Sequence, residues 1–564
     1  MTEFRDHIAR PASFITGVRR IERTPSAHGG PLLIKLLLQS AMAHAPDQEI
    51  VYRDTVRHSY RDFNRRVAQL ANVLTDLGVT PGQTVGVLDW DSHRYLESYF
   101  AVPGIGAVLH MVNVRLSPEQ ILFTINHARD HVLLVHADFL PLIESLWDRL
   151  ETVGTLILLA DAGASPVTAL PSAGEYEELI TAASPSFLFP DFDEDACATT
   201  FYTTGTTGLP KGVSFSHRQL VLHSLAAATA LGSAADQGRL HRGDVYMPIT
   251  PMFHVHAWGL PFVATMLGLK QVYPGRYEAE TLLMLRRKEG VTFSHCVPTL
   301  LQMLLSCQDS SETDLGGWKI VIGGSALPAG LARTAIERGI DIFTGYGMSE
   351  TCPILSLAQL GTDMMEEGLA AQIVARTKAG RPVPLVELAI IDESCNSLPH
   401  DGEQSGEIVA RAPWLTQAYV GDAAASERLW ATGYLHTGDV GMIDPGGWLR
   451  ITDRMKDVIK SGGEWVSSLE IEDLISQHCD VREVAVIGIP DARWGERPLA
   501  LIVAASEASS AITTEAIAAH LQPYCDQGII SKWAIPEVIQ VDALAKTSVG
   551  KLDKKTLRAR FGQL

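Results

Sequence analysis

Tyr202-Thr-Thr-Gly-Thr-Thr-Gly-Leu-Pro-Lys-Gly212 crowds four threonines, three glycines and one lysine into eleven positions. Glycines let the backbone turn its amides toward an anion, hydroxyls add donors and the lysine adds charge. The segment therefore predicts a phosphate cradle rather than a plain polar surface loop. It is not a Walker A loop, which needs four residues between its glycine and Gly-Lys-Ser/Thr; here Lys211 follows Pro210 and precedes Gly212.

On either side of this loop, helical and strand-like patterns alternate. Phe63, Val67, Leu70, Leu74 and Leu77 recur at helical spacing between Tyr60 and Gly78, and Thr84 to Leu88 follows as a strand. Ser117, Pro118 and Glu119 start a helix as cap, first-turn proline and acidic residue, and the apolar run Val132 to Val135 comes after it. Thr155 to Leu159, Lys319 to Ile322 and Val484 to Ile489 continue the pattern, which predicts an α/β fold with buried, mostly parallel strands. Asp161 to Ala173 and Ala504 to Ser510 read as surface loops. A domain boundary is expected at Asp453–Asp457, between the Gly-Gly pairs 446–447 and 462–463.

The 564 residues suffice for several domains, and the 46% hydrophobic and 20% charged content is that of an ordinary globular chain. A net charge of -19 argues against nucleic acid or an anionic membrane surface as a partner, so any phosphate must be held locally. Seven scattered cysteines without a C-x-x-C pair suggest neither a disulfide framework nor structural zinc, and fit a reducing cytoplasm. No apolar run reaches the ~18 residues of a membrane span, and the N-terminus lacks a signal-peptide pattern. The expectation is a soluble cytoplasmic protein.

The cradle resembles the signature loop of the adenylate-forming superfamily of acyl-CoA synthetases, adenylation domains and luciferases, with Thr204 where serine is usual. Further motifs of that family follow in order: Gly323-Gly-Ser-Ala326, Gly345-Tyr-Gly-Met-Ser-Glu-Thr351, Tyr434-Leu-His-Thr-Gly-Asp439, Arg454 and Lys546-Thr-Ser-Val-Gly-Lys-Leu552. The resemblance implies a large multi-lobed N-terminal domain of mostly parallel sheets at 1–455 and a small mobile C-terminal α/β domain at 456–564. It implies ATP or AMP binding by Thr203, Thr204, Gly205, Thr206, Thr207, Gly208 and Lys211, and by Gly324, Ser325 and Ala326. To these it adds Gly345, Tyr346, Gly347, Met348 and Ser349, with Asp439, Arg454 and Lys551.

In that mapping Tyr346 stacks on the base, Asp439 and Arg454 hold the ribose, and Glu350 with Thr203 holds Mg²⁺. Lys551, Lys211 and Glu350 are the catalytic set. A carboxylate beside a triphosphate suits Mg²⁺, and a preorganised ammonium suits charge building on an attacking carboxylate and an α-phosphate. Lys456 sits at the hinge position, and Lys460, Gly462, Gly463, Glu464 and Trp465 belong to a channel for coenzyme A. A homodimer is a family expectation.

Pro251-Met-Phe-His-Val-His-Ala-Trp-Gly259 resembles the wall between acid and nucleotide, in the form seen in medium-chain fatty acid and methylthiopropanoate CoA ligases. His254 and Trp258 are expected beside the acid. His254, His256 and His295 also allow a metal reading, which the i, i+2 spacing and the lack of a suitably spaced carboxylate disfavour. The apolar wall suits an aliphatic or thioether carboxylic acid better than an amino acid. The expected reaction is acid + ATP + CoA giving acyl-CoA, AMP and pyrophosphate. Its rivals are transfer to a carrier protein's phosphopantetheine and a non-catalytic nucleotide-binding regulator.

Overall fold

The computed structural model describes residues 17–19, 21–161, 164, 166–203, 209–461, 464–491 (464 and 465 as backbone), 493–505, 512–547 and 551–562. Local sequence explains the helix boundaries. The Ser59 hydroxyl accepts from Asp62 N and the Asp62 carboxylate from Ser59 N, so Tyr60–Asp76 starts in a capping box and buries Phe63, Val67, Leu70 and Leu74. That helix stops short of the expected Gly78, which takes a left-handed φ of +84°. Ser117 and Gln120 cap Pro118–Ala128 in the same way.

Among the described residues the strands form four sheets. The first runs Ser172–Glu175, Thr155–Leu159, Asp130–His136, Thr84–Leu88, Val108–Met111, Cys197–Thr203, Lys211–Ser216, parallel except for the last pair. That pair is a hairpin whose register sets Thr203 opposite Lys211, so the cradle is the connection between two strands. The second sheet contains the parallel strands Val245–Ile249, Phe293–Cys296, Lys319–Ile322 and Asp341–Gly347. Their carboxyl ends run into Pro251–Gly259, Val297, Gly323–Ala326 and Gly345–Thr351. Ligands of α/β sheets bind outside that end of the strands, which is why motifs far apart in sequence meet.

Glu387–Ile391, Gly406–Arg411, Leu435–Ile443 and Leu449–Arg454 make a small antiparallel sheet. The fourth sheet, from strands between 459 and 540, belongs to the C-terminal part of the chain.

Two expectations need correction. Ser172 and Ala173 lie in a strand parallel to Thr155–Leu159 rather than in a loop, because Pro171 O and Ser172 continue the ladder. Val484–Ile489 lies in the longer strand Val481–Asp491, which is antiparallel to Gly495–Ala504: the short connection between them makes a hairpin, not a crossover.

The C-terminal part packs on the rest through Asp473, whose carboxylate accepts from Ala329 N at 3.0 Å, and an Arg450–Glu470 ion pair at 2.7 Å. Beside the expected hinge, Asp453 accepts from Ser468 N and Oγ at 2.6 and 2.7 Å, and Lys554 joins Ser468 and Glu472, each at 2.7 Å. Asp457 pairs with Arg558. The segment carrying Lys551 is thus tied to both flanks of Lys456. No helix among the described residues is long and apolar enough to cross a membrane.

Candidate active site

Register builds the first part of the site. Asp439 lies directly opposite Arg454 across an antiparallel pair, and the Arg454 Nε sits 3.3 Å from Asp439 Oδ1. Tyr346, at the end of Asp341–Gly347, donates its phenol to Asp439 Oδ2 at 2.9 Å. Burial pushes the Asp439 carboxyl up from its ordinary range, while Arg454 and the Tyr346 hydrogen bond pull it down. Tyr346 therefore orients the carboxylate expected to meet the ribose, a role beyond the stacking implied by the motif. Gly347 follows because nothing larger fits: a Cβ there would lie 1.7 Å from Pro353 O.

Gly345, Tyr346 and Gly347 end their strand, and Met348 leads into a tight turn at Ser349–Thr351, where Thr351 Oγ1 accepts from Met348 N at 3.0 Å. That turn presents Glu350, which is buried and whose carboxyl is pushed up by desolvation. Its Oε1 accepts from Tyr419 OH at 2.7 Å, and its carbonyl accepts from Thr416 N at 2.9 Å. Lys211 stands with its ammonium 4.5 Å from the centre of the Tyr419 ring. A single buried carboxylate such as Glu350 is the kind of ligand Mg²⁺ takes while phosphates and water complete its shell, and Thr203 ends its strand opposite Lys211. Thr204, Gly205, Thr206, Thr207, Gly208, Gly462 and Gly463 lie outside the described residues.

Lys551 enters from the C-terminal part. Thr547 N donates to Lys551 O at 2.7 Å and Lys551 N to Thr547 Oγ1 at 3.2 Å, which fixes the Lys551 backbone against Thr547. Its side chain lies along Gly324: a Cβ there would come within 2.8 Å of Lys551 Cε and 3.4 Å of Nζ, and Gly324 takes a φ of +81°. Burial and the Arg454 charge push the Lys551 ammonium down to about 8, against the pull of Asp439 and Glu350. Four expected residues, Glu350, Asp439, Arg454 and Lys551, thus share one electrostatic field. Ser325 and Ala326 continue the loop begun by Gly323 and Gly324.

The segment expected to line the acid is backbone under strain. Val255, His256, Ala257 and Trp258 all take positive φ, between 46° and 59°, at a cost of roughly 1 kcal/mol or more for each non-glycine residue. This left-handed turn sets Trp258 against the nucleotide loop, where a Cβ on Gly323 would lie 2.9 Å from its ring, with His295 4.9 Å away between ring centres. His254 is neutral: desolvation, Lys551 and Arg115 push its pKa down to about 3.

His256 is buried with Nε2 2.7 Å from Thr199 Oγ1, and His295 Nε2 meets Tyr246 OH at 2.9 Å, so one nitrogen of each ring is committed to a hydroxyl. Lys460, in Ile459–Ser461, is in register with Trp465, and its backbone donates to Glu496 at 2.9 Å. Glu464 begins the facing strand. Lys456 is exposed in the turn from Arg454 to Val458.

Sequence reasoning missed Tyr419 and Asp91. Asp91 accepts from Met252 N at 2.9 Å and from Tyr277 OH at 2.5 Å, while Tyr99 donates to Met252 O at 2.5 Å, clamping the turn that carries His254. Neither residue lies in a motif, so only the fold brings them in.

A family model for AMP-binding enzymes matches residues 38–420, and the AMP-binding enzyme C-terminal domain matches 470–551. The chain is 38% identical to a long-chain-fatty-acid–CoA ligase of Thermus thermophilus, covering 93% of this chain and 94% of that one. It is also 38% identical to a 3-methylmercaptopropionyl-CoA ligase of Ruegeria lacuscaerulensis (94% and 97% covered). A medium-chain-fatty-acid–CoA ligase of Ectopseudomonas oleovorans is 34% identical (94% and 96%). The crystal structure of the anthranilate CoA ligase AuaEII with anthranoyl-AMP superposes with a TM-score of 0.82 at 25% identity, covering 94% of this chain and 97% of that one. The chain belongs to the AMP-binding enzyme family and is an AMP-forming, ATP-dependent acid–CoA ligase.

Proposed function

We propose that the acid is a short- to medium-chain aliphatic or thioether carboxylate, joined to CoA through an acyl-adenylate. The observation that carries this reading is the reach of Lys551 to Gly324 inside the field of Asp439, Glu350 and Arg454. A carboxylate oxygen attacks the α-phosphorus and the bond to pyrophosphate breaks. The Lys551 ammonium lies between the two anions and stabilises the charge that builds there without giving up its proton. Asp439, aimed by Tyr346 and Arg454, accepts from the ribose hydroxyls. Lys211 and the cradle hold the outer phosphates, and Glu350 with Thr203 would hold Mg²⁺, which neutralises phosphate charge when bound.

The second step needs the same pocket to admit a thiol. In our reading, residues 456–564 turn about Lys456 relative to 1–455, withdraw Lys551 and bring the segment with Lys460, Gly462, Gly463, Glu464 and Trp465 to the site. The thiol of CoA attacks the acyl carbon and AMP leaves.

The choice of acid rests on the wall. Trp258 and neutral His254 offer no negative charge for an ammonium, and Asp91, which approaches the wall, spends its oxygens on Met252 N and Tyr277 OH. The relatives named above are called ligases of long-chain and medium-chain fatty acids and of 3-methylmercaptopropionate, which supports an aliphatic or thioether acid. The test is pyrophosphate release with straight-chain, branched, thioether, aromatic and amino acids, each with and without CoA. Turnover on aliphatic or thioether acids that needs CoA to pass the first equivalent is expected. Preference for amino acids would overturn the acid assignment, and turnover only with a carrier protein would replace CoA as acceptor.

A further inference from the structure

Tyr419 occupies a place no motif marks, between the two charged groups that face the outer phosphates. The segment around it, from Thr416 to Val420, ties the strand leaving the cradle to the turn carrying Glu350. Val420 N donates to Gly212 O at 2.9 Å, Tyr419 bridges Val213, and Tyr419 N donates to Ser426 Oγ at 3.0 Å. Thr416, three residues earlier, donates from its N to Glu350 O and from its hydroxyl to Ser214 O at 3.1 Å. The position of the ring is thus set from both sides.

The side chain makes two different contacts. Its phenol donates to Glu350 Oε1 at 2.7 Å, and its ring face lies 4.5 Å from the Lys211 ammonium. Burial and the Glu350 charge push the phenol far above its ordinary pKa, so it remains a donor. Among the described ion pairs none joins Lys211 to Glu350, although Lys211 is near enough to act on the Glu350 carboxyl. A direct pair between a buried carboxylate and an ammonium would be strong, and it would consume the two charges a metal–triphosphate must meet.

Building on the roles proposed above for Lys211 and Glu350, we infer that Tyr419 is a positioning residue that keeps these two charges apart and ready. The phenol saturates one oxygen of Glu350 and so offers a divalent cation the other, a contact of the kind Mg²⁺ takes from a single carboxylate. The ring face gives Lys211 a resting place that ATP phosphate displaces at little cost, since cation–π attraction is weaker than a buried ion pair. The hydroxyl and the ring therefore serve different ligands.

The two functions separate by mutation of the full-length enzyme. Tyr419→Phe keeps the ring and loses the hydrogen bond, so Mn²⁺ binding in the presence of α,β-methylene-ATP, followed by electron paramagnetic resonance, should weaken about tenfold, the cost of one hydrogen bond to a charged group. Its KM for the acid and its melting temperature should stay near wild type. Tyr419→Leu also removes the spacer, and KM for ATP should then rise beyond that of Tyr419→Phe as Lys211 closes on Glu350. Unchanged Mn²⁺ binding in Tyr419→Phe, or an equal loss for acid and metal, would overturn the proposal. Glu350→Gln is the control: if it too leaves Mn²⁺ binding unchanged, Glu350 is not the metal carboxylate, and both that role and the proposal fall together.

Discussion

Lys551→Ala should slow adenylate formation by about a hundredfold to a thousandfold, the scale of removing a preorganised transition-state donor. Thioester formation from a supplied acyl-adenylate should stay close to wild type, because the proposed rotation withdraws Lys551 in that step. Pyrophosphate exchange into ATP reads the first half-reaction, and acyl-CoA appearing from synthetic acyl-AMP reads the second; comparable losses in both would remove Lys551 from its assigned role. A pH dependence follows from the same group. Its working form is the ammonium, and burial with Arg454 brings its pKa down to about 8, so adenylation should fall as pH rises through about 8. Lys551→Arg, whose charge does not titrate in this range, should flatten that limb even where it lowers the rate.

Asp439→Ala should cost about a hundredfold or more in kcat/KM, and in both half-reactions, since ATP and the acyl-adenylate present the same ribose. The substitution takes the acceptor from Tyr346 OH and the partner from Arg454, and removes one of the anions that keep Lys551 charged. The fall of adenylation at high pH should therefore begin at lower pH in this variant. Measuring both half-reactions across pH distinguishes it from Lys551→Ala, and a loss confined to one half-reaction would contradict the ribose assignment.

Much of this site was legible because its chemistry is local in sequence. The cradle announces itself by glycines and hydroxyls at close spacing, whereas Glu350 and Asp439 came from the resemblance of their motifs, and of the strands that feed the site only Lys319–Ile322 was read as an apolar run. Tyr419 was not legible. Its work depends on reaching Glu350, 69 residues away, and Lys211, on another strand, and nothing in Gln417-Ala-Tyr-Val420 records those contacts. Asp91 is hidden for the same reason, since its partner Met252 is 161 residues distant. The sense of Val481–Asp491 was misjudged because an apolar strand looks alike in a parallel or an antiparallel sheet; the turn before Gly495 decides it. The left-handed turn at Val255–Trp258 uses three residues besides Trp258 that avoid positive φ on their own, so tertiary packing imposes it against local preference.

The central claim is that the acid is activated at the α-phosphorus of ATP, and the isotope content of AMP tests it most directly. With an aliphatic acid carrying ¹⁸O in both carboxylate oxygens, attack on the α-phosphorus places one labelled oxygen between the acyl carbon and phosphorus, and thiolysis leaves it on AMP. Mass spectrometry should find one ¹⁸O in the AMP formed with each acyl-CoA and none in pyrophosphate; unlabelled AMP, or label in the pyrophosphate, would contradict the account.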